Sequence, residues 1–545
     1  MKKNIYKKSV AFLLALTLSV CFSCNGFLTE KLPDQFDSND YYRNIEESVK
    51  GLYGLYAGVK KVVFGPNYYS ITDIMCDDMD FRGTDQSRRQ LSALSFSETN
   101  KYFASVWSDL YAVVNNANLI IKKVPEAEAM TVTSKLDRDI IVAEAKFIRA
   151  WAYFTLIQLW GDVPLMTEPT TSKKDMTFPE RAPINEVLKL VLEDLEYAQD
   201  KLVSETGAKI IIRGESSTRP VAYQLMISHG AVRMLKAKVH LYKKEYPQCI
   251  EAMKYIIDRY DDTGKKSYCL VADFPKLFDV RYKRDKDRLK EVVWEIEADS
   301  KIGYSNSNHR EFTPSDPVHD CMSTGYQNYV PSTSIFEAFS KQVSDKRLTT
   351  YRISRRGGPA IIKHVDMETL DQNTGGPNEI LLRIGDALLV YAEALNHTGE
   401  TEEAIVWVNK IRKRAGLIRM VGNREVGAIP ATTPSNVVSD TILFERRMEL
   451  AHEGQRLFDL RRTGKLIQAL ETYNRDLQRF LAMPNNQMVF GIPAIVSGSG
   501  IESYSDSHVP FVEAFKRTDE RILLHPIPTD ERRSNPNLKQ NPGYF

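Results

Sequence analysis

The chain has 545 residues, of which 43% are hydrophobic and 26% are charged. That length allows several average domains or one large helical body. Its 73 basic and 71 acidic residues give a net charge of +2, and this balance excludes the strongly basic character expected of a nucleic-acid-binding protein.

The N-terminal stretch has the composition of a secretion signal. Residues 1–23 begin with a lysine-rich head, which is followed by the apolar run Ala11–Phe22. This run is shorter than the roughly 20 residues that a helix needs to cross a bilayer. We therefore predict a signal peptide over 1–23 and no transmembrane helix in the mature protein.

Cys24 closes the apolar run, and we predict that it is the lipidated residue of a bacterial lipoprotein. Several acyl chains on one cysteine would hold the protein at a membrane through this anchor alone. Cys21 is the alternative, because residues 18–21 form a rival processing site. Residues 24–39 are then a polar, lipidated tether.

Three amphipathic helices are predicted next, over Asp40–Lys60, Val106–Lys123 and Ile140–Pro164, because apolar residues recur in each at helical intervals. In the second helix Asn115, Asn116 and Asn118 interrupt the apolar stripe. Asparagine side chains compete for backbone hydrogen bonds inside a helix. These residues therefore require buried hydrogen-bond partners or a ligand.

Two later segments, 236–257 and 391–412, share one pattern of small and large residues. A shift of 155 positions places Ala237 on Ala392 and carries the apolar stripe of one segment onto that of the other. Tetratricopeptide units pack in this way. Long irregular stretches separate the copies, so the pattern predicts helical hairpins within a globular body and not a regular solenoid.

Three loop-rich excursions interrupt the helical pattern. Lys265–Gly376 is rich in Gly, Ser, Asn, Pro and Tyr and contains short apolar runs, such as Val292–Ile296, that are typical of strands. Ala428–Val438 and Asn485–Val509 are shorter stretches of the same type. Long excursions in compact proteins tend to carry function, so we expect all three to lie on one working surface.

Asp440–Lys465 is predicted to form one helix with an apolar stripe beside a row of ionic residues, Glu445, Glu449, Glu453 and Arg456. Two glutamates one turn apart can serve acid/base catalysis. Several arginines lie close by in the sequence, however. They favour a structural row in which guanidinium groups neutralise the carboxylates.

The run from Glu445 to Arg462, ER-x-x-ELA-x-EG-x-R-x-FDL-x-R, resembles the signature of the SusD/RagB family. Cys24-x-x-Phe-Leu, the alanine-rich helix around Arg149 and the PIP to QNPGY ending at 526–544 are similar to the same family. The resemblance implies a mostly α fold over 40–545. In it, tetratricopeptide-like helical hairpins form one globular body with long irregular loops and a few short strands.

Members of this family are surface-exposed outer-membrane lipoproteins of Bacteroidetes. The resemblance therefore implies capture of an oligo- or polysaccharide and its delivery to a SusC-like TonB-dependent transporter. The hairpins would face the transporter, and the loops would hold the nutrient between the two proteins. A peptide or another nutrient is the alternative ligand for the same architecture.

No motif in the sequence points to catalysis, a cofactor or a metal. A nucleophile elbow, a Walker loop, a dinucleotide fingerprint and a metalloprotease helix are all missing from the sequence. Cys76, Cys249, Cys269 and Cys321 lack metal-ligand spacing and are expected either as buried free thiols or with one disulfide among them. A carboxylate-pair glycosidase, with Glu445 and Glu449, is the enzymatic alternative to a binding protein.

Capture of a neutral sugar requires exposed aromatic rings beside amide, carboxylate or arginine groups. Two segments combine these groups, Asp73–Phe103 and Gly303–Tyr329. Tyr326 is the first choice for a stacking residue, and the tryptophans that form the aromatic arc of the starch-binding member have no counterpart here. The candidate ligand-binding residues are Asp77, Asp78, Arg82, Phe96 and Asn100 in the first segment and Tyr304, Asn306, Tyr326, Asn328 and Tyr329 in the second.

Overall fold

The computed structural model describes residues 41–544, apart from 128–131, 173–174, 204–208, 213–220, 225, 300–304, 316–320, 322–323, 341, 343, 355–357, 372, 423 and 483–514. The predicted signal peptide, the lipidated Cys24, the tether 24–39 and the excursion Asn485–Val509 lie outside the described residues. They stay predictions, as does the division of the chain into these parts.

Helices dominate the described chain, which confirms the predicted fold class. The helices are α1 Ile45–Phe64, α2 Pro66–Ile71, α3 Gln86–Ser92, α4 Lys101–Lys123, α5 Val132–Trp160, α6 Ile184–Lys201, α7 His229–Tyr242, α8 Tyr246–Asp258, α9 Arg288–Glu291, α10 Asn308–Phe312, α11 Thr333–Ser340, α12 Ile384–Thr398, α13 Thr401–Arg414, α14 Ser435–Glu449, α15 Arg456–Arg462, α16 Leu466–Leu481 and α17 Thr529–Ser534. Side chains from the first helix to the C-terminal segment form one continuous hydrophobic core.

The strands are short and pair two by two, each pair antiparallel. They are β1 Met79–Phe81, β2 Val163–Pro164, β3 Arg181–Ala182, β4 Lys209–Ile212, β5 Val221–Gln224, β6 Val292–Ile296, β7 Tyr329–Pro331, β8 Tyr351–Ser354, β9 Gly358–Ile361, β10 Glu379–Arg383, β11 Arg419–Val421 and β12 Arg424–Val426. The pairs are β1 with β7, β2 with β3, β4 with β5, β6 with β10, β8 with β9 and β11 with β12. The predicted strand Val292–Ile296 is confirmed as β6.

The two predicted helical hairpins are confirmed as α7–α8 and α12–α13. Ala237 and Ala392 are fully buried, so the helices approach closely at these small residues. Gly399 ends α12 with φ +94, a left-handed conformation that closes the turn to α13. α8 and α12 pack together, and this contact joins the two hairpins into one body.

Asn115 and Asn118 of α4 have structural hydrogen-bond partners, whereas Asn116 is exposed. Asn118 donates from Nδ2 to the Met166 carbonyl at 2.9 Å and accepts from Arg149 Nη1 at 2.7 Å. Arg149 also forms a charge-assisted hydrogen bond to Asp194, from Nε at 2.7 Å. This network ties α4, α5 and α6 together, and it accounts for asparagine within the helix.

The prediction of one helix over Asp440–Lys465 is wrong, because α14 ends at Glu449 and α15 begins only at Arg456. His452 and Gly454 in the intervening turn have φ values of +62 and +71. The Gly454 amide donates to the buried Asp73 carboxylate at 3.0 Å. Tertiary partners of the turn therefore override the helical periodicity of the sequence.

The glutamates of this region are structural. Glu445 accepts from Arg347 at 3.0 Å and also pairs with Arg412, while Glu449 accepts from Arg383 at 2.5 Å and pairs with Arg414. Both carboxylates are fully buried. Burial alone would raise the pKa of Glu449, but its arginine partners outweigh that effect and hold the pKa well below its usual range.

The C-terminal segment lies along the end of α5. Trp160 Nε1 donates to the Pro526 carbonyl at 3.0 Å, and Asn541 Nδ2 donates to the Trp160 carbonyl at 2.9 Å. The Tyr544 hydroxyl donates to the Arg521 carbonyl at 2.6 Å. The extended proline-rich ending is thus fixed to the helical body through backbone carbonyls.

Cys76, Cys249, Cys269 and Cys321 carry free, buried thiols. In the part of the chain that the structure describes, no helix combines the length and the apolar composition that crossing a membrane requires. The same residues contain no group of three histidine, cysteine or carboxylate side chains arranged to hold a metal ion.

Candidate ligand-binding site

β1 and β7 bring together the two segments that were predicted to bind ligand. Phe81 pairs with Tyr329 in this antiparallel ladder, and beyond it the Arg82 amide donates to the Asn328 carbonyl at 2.9 Å. Arg82 and Asn328 are half-buried. Residues about 250 positions apart in the chain therefore share one surface.

A short helix supports this surface from one side. The Tyr326 amide donates to the Arg310 carbonyl at 2.9 Å, and the Asn328 amide donates to the Glu311 carbonyl at 2.8 Å. A Cβ atom on Gly325 would lie 2.6 Å from the Arg310 carbonyl oxygen, so this close approach requires glycine. The stretch 324–328 is thereby held against α10.

Gln327 has a left-handed backbone, with φ +45, although it is not glycine. Its side chain is fully buried. The amide oxygen accepts from the Ser315 amide at 3.0 Å, and Nε2 donates to the Pro359 carbonyl at 3.0 Å. Such a conformation costs free energy and persists only where the surroundings hold it. Here it fixes the backbone of Tyr326, the residue before it.

Tyr326 is half-exposed, with 49% of its surface open to solvent. The guanidinium of Arg310 lies 4.8 Å from the centre of its ring, within the range of a cation–π contact. Arg310 also donates to Asn373 Oδ1 at 3.2 Å. We call residues 82–89, 310–313 and 324–328 the Tyr326 surface. An aromatic ring, guanidinium groups and amides are neighbours on it.

Asp77 and Asp78 lie in the interior, which differs from the ligand-contacting position expected of them. Asp77 accepts from Arg456, and Asp78 accepts from Arg447 Nε at 2.6 Å. Burial raises the pKa of Asp77, but Arg447 and Arg456 outweigh it and lower the pKa below its usual range. These carboxylates stabilise the fold, and we do not keep them in the candidate site.

Three other candidate residues are also buried. Phe96 packs edge-on against Phe103, with ring centres 5.0 Å apart. Asn100 is the N-cap of α4, and its Oδ1 accepts from the Tyr102 amide at 3.2 Å. The Tyr329 hydroxyl donates to the Pro66 carbonyl at 2.7 Å. Their side chains pack in the core or cap a helix, so these three residues are not part of the candidate site.

Asn306 is buried and donates to the Pro377 carbonyl at 3.1 Å. Tyr304 lies outside the described residues and stays a prediction. Of the predicted binding residues, the structure therefore places Arg82, Tyr326 and Asn328 together at the surface. Sequence reasoning missed Arg310, Arg89 and Gln327, because their proximity to Tyr326 depends on how the loops fold.

A shallow depression of about 550 Å³ lies elsewhere, at the turn between α12 and α13. Glu400, Glu402 and Thr433 are among the residues that line it, and none of its lining residues is aromatic. It offers no ring on which a sugar could stack. An exposed aromatic ring beside guanidinium and amide groups is found at the Tyr326 surface instead.

Two family models match the sequence. The model described as the SusD family matches residues 345–544, which include the run from Glu445 to Arg462. The model described as starch-binding and associating with the outer membrane matches residues 33–223. The chain belongs to the SusD family. The N-terminal and C-terminal parts of this SusD-family protein are thus covered, while residues 224–344, including Tyr326, lie outside both matches.

Relatives of this SusD-family protein span most of its length. The SusD-like protein P38 of Formosa agariphila is 25% identical over 505 residues, which cover 87% of this chain and 94% of the relative. A SusD-like protein of Bacteroides ovatus is 22% identical over 499 residues, covering 84% of this chain and 83% of the relative.

Solved structures share the fold. A SusD homologue from Bacteroides thetaiotaomicron superposes with a TM-score of 0.71 at 19% identity, covering 93% of this chain and 98% of the other. A laminarin-binding SusD-like protein superposes with a TM-score of 0.67 at 20% identity, covering 92% of this chain and 100% of the other. At these identities the likeness establishes the fold of this SusD-family protein, which is one mostly helical body.

Proposed function

We propose that this SusD-family protein captures an oligo- or polysaccharide at the Tyr326 surface and delivers it to a TonB-dependent outer-membrane transporter. Tyr326 carries the proposal. Among the described residues, the aromatic side chains with large exposed fractions are Phe178, Phe515 and Tyr326. Of these, Tyr326 has an arginine against its ring and lies beside amide groups.

This combination suits a saccharide. The apolar face of a pyranose ring packs on an aromatic ring, while guanidinium and amide groups donate to the hydroxyl and ring oxygens. The left-handed Gln327 and the contact with Arg310 hold the tyrosine in place before a ligand arrives. A preformed site loses less conformational entropy on binding. The family description as starch-binding and the laminarin-binding neighbour support a glycan ligand.

The environment of Glu445 and Glu449 supports a binding protein and not a glycosidase. Glu445 and Glu449, the pair considered for glycoside hydrolysis, are fully buried and hydrogen-bonded to arginines. A glycosidase needs one protonated and one ionised carboxyl group on either side of an accessible glycosidic bond. Neither carboxylate of this pair is accessible to a substrate, and the arginine partners of Glu449 lower its pKa.

The remaining parts of the proposal concern the position of the protein. Lipidation at Cys24 would anchor the chain in the outer membrane, and the polar tether 24–39 would let the helical body stand off it. The family description of outer-membrane association supports this location. The hairpins α7–α8 and α12–α13 would face a SusC-like transporter, and the loops would hold the nutrient between the two proteins.

Affinity electrophoresis against a panel of polysaccharides tests the binding site. We expect at least one polysaccharide to retard the protein, and we expect Tyr326→Ala to weaken that retardation about tenfold, which corresponds to ~1.4 kcal/mol. Phe178→Ala is the matched control, because Phe178 is 48% exposed but has no arginine stacked on it in the described structure. Equal affinity of both variants and the wild type would place the site elsewhere.

A further inference from the structure

Two helices, α3 and α10, each contribute an arginine to the Tyr326 surface. Arg310 lies against the ring at 4.8 Å, and its side chain is 36% exposed. Arg89 donates from Nε to the Gly83 carbonyl at 2.7 Å, next to the position where Arg82 joins Asn328. A guanidinium has five donors in a planar fork, so a single hydrogen bond leaves most of that fork available.

Carboxylates balance only part of this charge. Residues 82–89, 310–313 and 324–328 contain four arginines but only two acidic residues, Asp85 and Glu311. Glu311 lies 4.0 Å from Arg310 and 3.8 Å from Arg88, so one carboxylate serves two guanidinium groups. Arg89 forms no ion pair with any residue that the structure describes. Positive charge is therefore in excess on the Tyr326 surface.

Asp85, the second carboxylate of the Tyr326 surface, has its own partners. It accepts from Lys101 Nζ at 3.0 Å, from the Tyr102 hydroxyl at 2.8 Å and from the Arg88 amide at 3.0 Å. Those hydrogen bonds lower the pKa of Asp85 to about 2 against the effect of burial. Asp85 stays ionised, but its negative charge is neutralised by the ion pair with Lys101.

We infer that the saccharide captured at the Tyr326 surface is anionic, a glycan bearing carboxylate or sulfate groups. This inference rests on the proposed function. Neutral sugar hydroxyls require donors and acceptors but no net charge. Arg310, against the Tyr326 ring, and Arg89, held at Gly83 beside the β1–β7 ladder, instead supply guanidinium groups, which favour the oxygens of a carboxylate or sulfate, next to a ring on which a sugar can stack.

Affinity electrophoresis of the full chain tests the charge requirement. The acidic polymers are polygalacturonate, alginate, chondroitin sulfate and dextran sulfate, and the neutral ones are laminarin and carboxyl-reduced polygalacturonate. We expect retardation by at least one acidic polymer. We also expect the double variant Arg89→Gln/Arg310→Gln to bind that polymer at least tenfold more weakly, with an unchanged melting temperature.

A charge-matched control is available at the far end of α1. Arg43 and Lys50 are exposed and pair with Glu47 and Glu46. The other end of this 20-residue helix contacts α10, since Asn308 Nδ2 donates to the Val63 carbonyl. At 1.5 Å per residue, Lys50 and Arg43 lie about 20 to 30 Å from Val63. Arg43→Gln/Lys50→Gln removes the same net charge and should leave retardation unchanged.

The outcomes separate the two proposals. Retardation by neutral polymers that the arginine variant retains and Tyr326→Ala loses would overturn the anionic ligand and leave saccharide binding at this surface intact. Retardation that Tyr326→Ala does not change, with any polymer, would overturn the site itself. The inference also fails if no acidic polymer retards the wild type, or if the Arg43/Lys50 variant loses affinity as strongly as the arginine variant.

Discussion

The Arg456 guanidinium donates from Nε and Nη2 to the two carboxylate oxygens of Asp77, each at 2.9 Å, although the residues are 379 positions apart in the chain. Both side chains are buried. This bidentate pair fastens the start of α15 to the segment between α2 and β1. It makes the family signature in α14 and α15 an anchor for the strand that leads into the Tyr326 surface.

Asp77→Ala is therefore expected to destabilise the protein by about 3 to 5 kcal/mol, because it leaves Arg456 buried without its counter-charge. Urea denaturation followed by circular dichroism measures the loss. Glu251→Ala, which removes an exposed pair with Lys254, should leave the midpoint unchanged. A midpoint of Asp77→Ala within error of the wild type would contradict the structural role of the pair.

Glu144 is buried in α5 without a cationic partner among the described residues. Its Oε1 accepts from the Ile227 amide at 3.2 Å, and Oε2 has no hydrogen-bond partner. Burial raises the pKa of Glu144 well above its ordinary value of 4.5. The folded state therefore keeps this proton at pH values where the unfolded chain releases it. Because the folded state binds the extra proton, the stability of the protein falls as pH rises above 4.5.

Glu144→Gln keeps the shape of the neutral acid and removes this dependence. The stability of the variant relative to the wild type should increase between pH 5 and pH 8, at a slope of at most about 1.4 kcal/mol per pH unit. Chemical denaturation at both pH values provides the comparison. A difference that is the same at pH 5 and pH 8 would mean that Glu144 does not take up a proton on folding.

His309 makes stability depend on pH in the opposite direction to Glu144. Its ring is fully buried beneath the Tyr326 surface, and Nδ1 accepts from the Asp366 amide at 2.9 Å. Burial lowers its pKa from 6.5 to about 4, although Asp366 and Asp371 act to raise it. Between those values the unfolded chain binds a proton that the folded protein does not, so stability falls as pH drops from 6.5 towards 4.

His309→Asn provides the test, because the asparagine oxygen can accept the same hydrogen bond but does not titrate. The free energy of unfolding of the wild type relative to this variant should decrease by roughly 3 kcal/mol at most when the pH is lowered from 7 to 4. Melting temperatures of both proteins across this range measure it. A lead that stays constant would show that His309 is not the group responsible.

The helices and hairpins could be predicted from the sequence because apolar periodicity decides them locally. Ala237 and Ala392 identified the matched crossings, and Cys249 and Ala404 are a second matched pair of the same repeat, both fully buried. The break between α14 and α15 could not be predicted in this way. It depends on Asp73, which lies 381 positions from Gly454 in the chain and binds its amide.

The sequence predicted which two segments form the candidate site, but not which of their side chains reach the surface. Polar residues such as Asp77 in a loop-rich stretch look available for a ligand until their buried partners, Arg447 and Arg456, are seen. Tyr326 and Asn328 reached the surface as expected, but Arg310 and Arg89 join them only through the β1–β7 pairing and the fold of α10. Burial is a property of the whole fold, and a local pattern does not determine it.

Membrane attachment is tested at the N-terminus. Cys24→Ala should move the protein from the membrane fraction to the soluble fraction of cells, because two acyl signals on one cysteine are enough for stable anchoring and their loss leaves none. Cys21→Ala is the control and should remain in the membrane fraction. Release by Cys21→Ala with retention of Cys24→Ala would assign lipidation to the alternative cysteine.

Substitutions at Gln327 test whether its backbone conformation positions Tyr326, without changing Tyr326 itself. Both Gln327→Gly and Gln327→Ala remove the hydrogen bonds to Ser315 and Pro359. Only glycine adopts φ +45 without strain, whereas alanine there costs about 1 to 2 kcal/mol. The glycine variant should therefore be the more stable of the two by about 1 kcal/mol, the reverse of their order in regular structure.

Both variants should also bind saccharide more weakly than the wild type, by several-fold, because Tyr326 is present but no longer held in place. Urea denaturation gives the order of stabilities, and affinity electrophoresis with the polysaccharide that retards the wild type gives the loss of binding. Alanine more stable than glycine would mean that residue 327 is not left-handed in solution. Wild-type affinity in both variants would show that the preformed backbone at Gln327 does not contribute to capture.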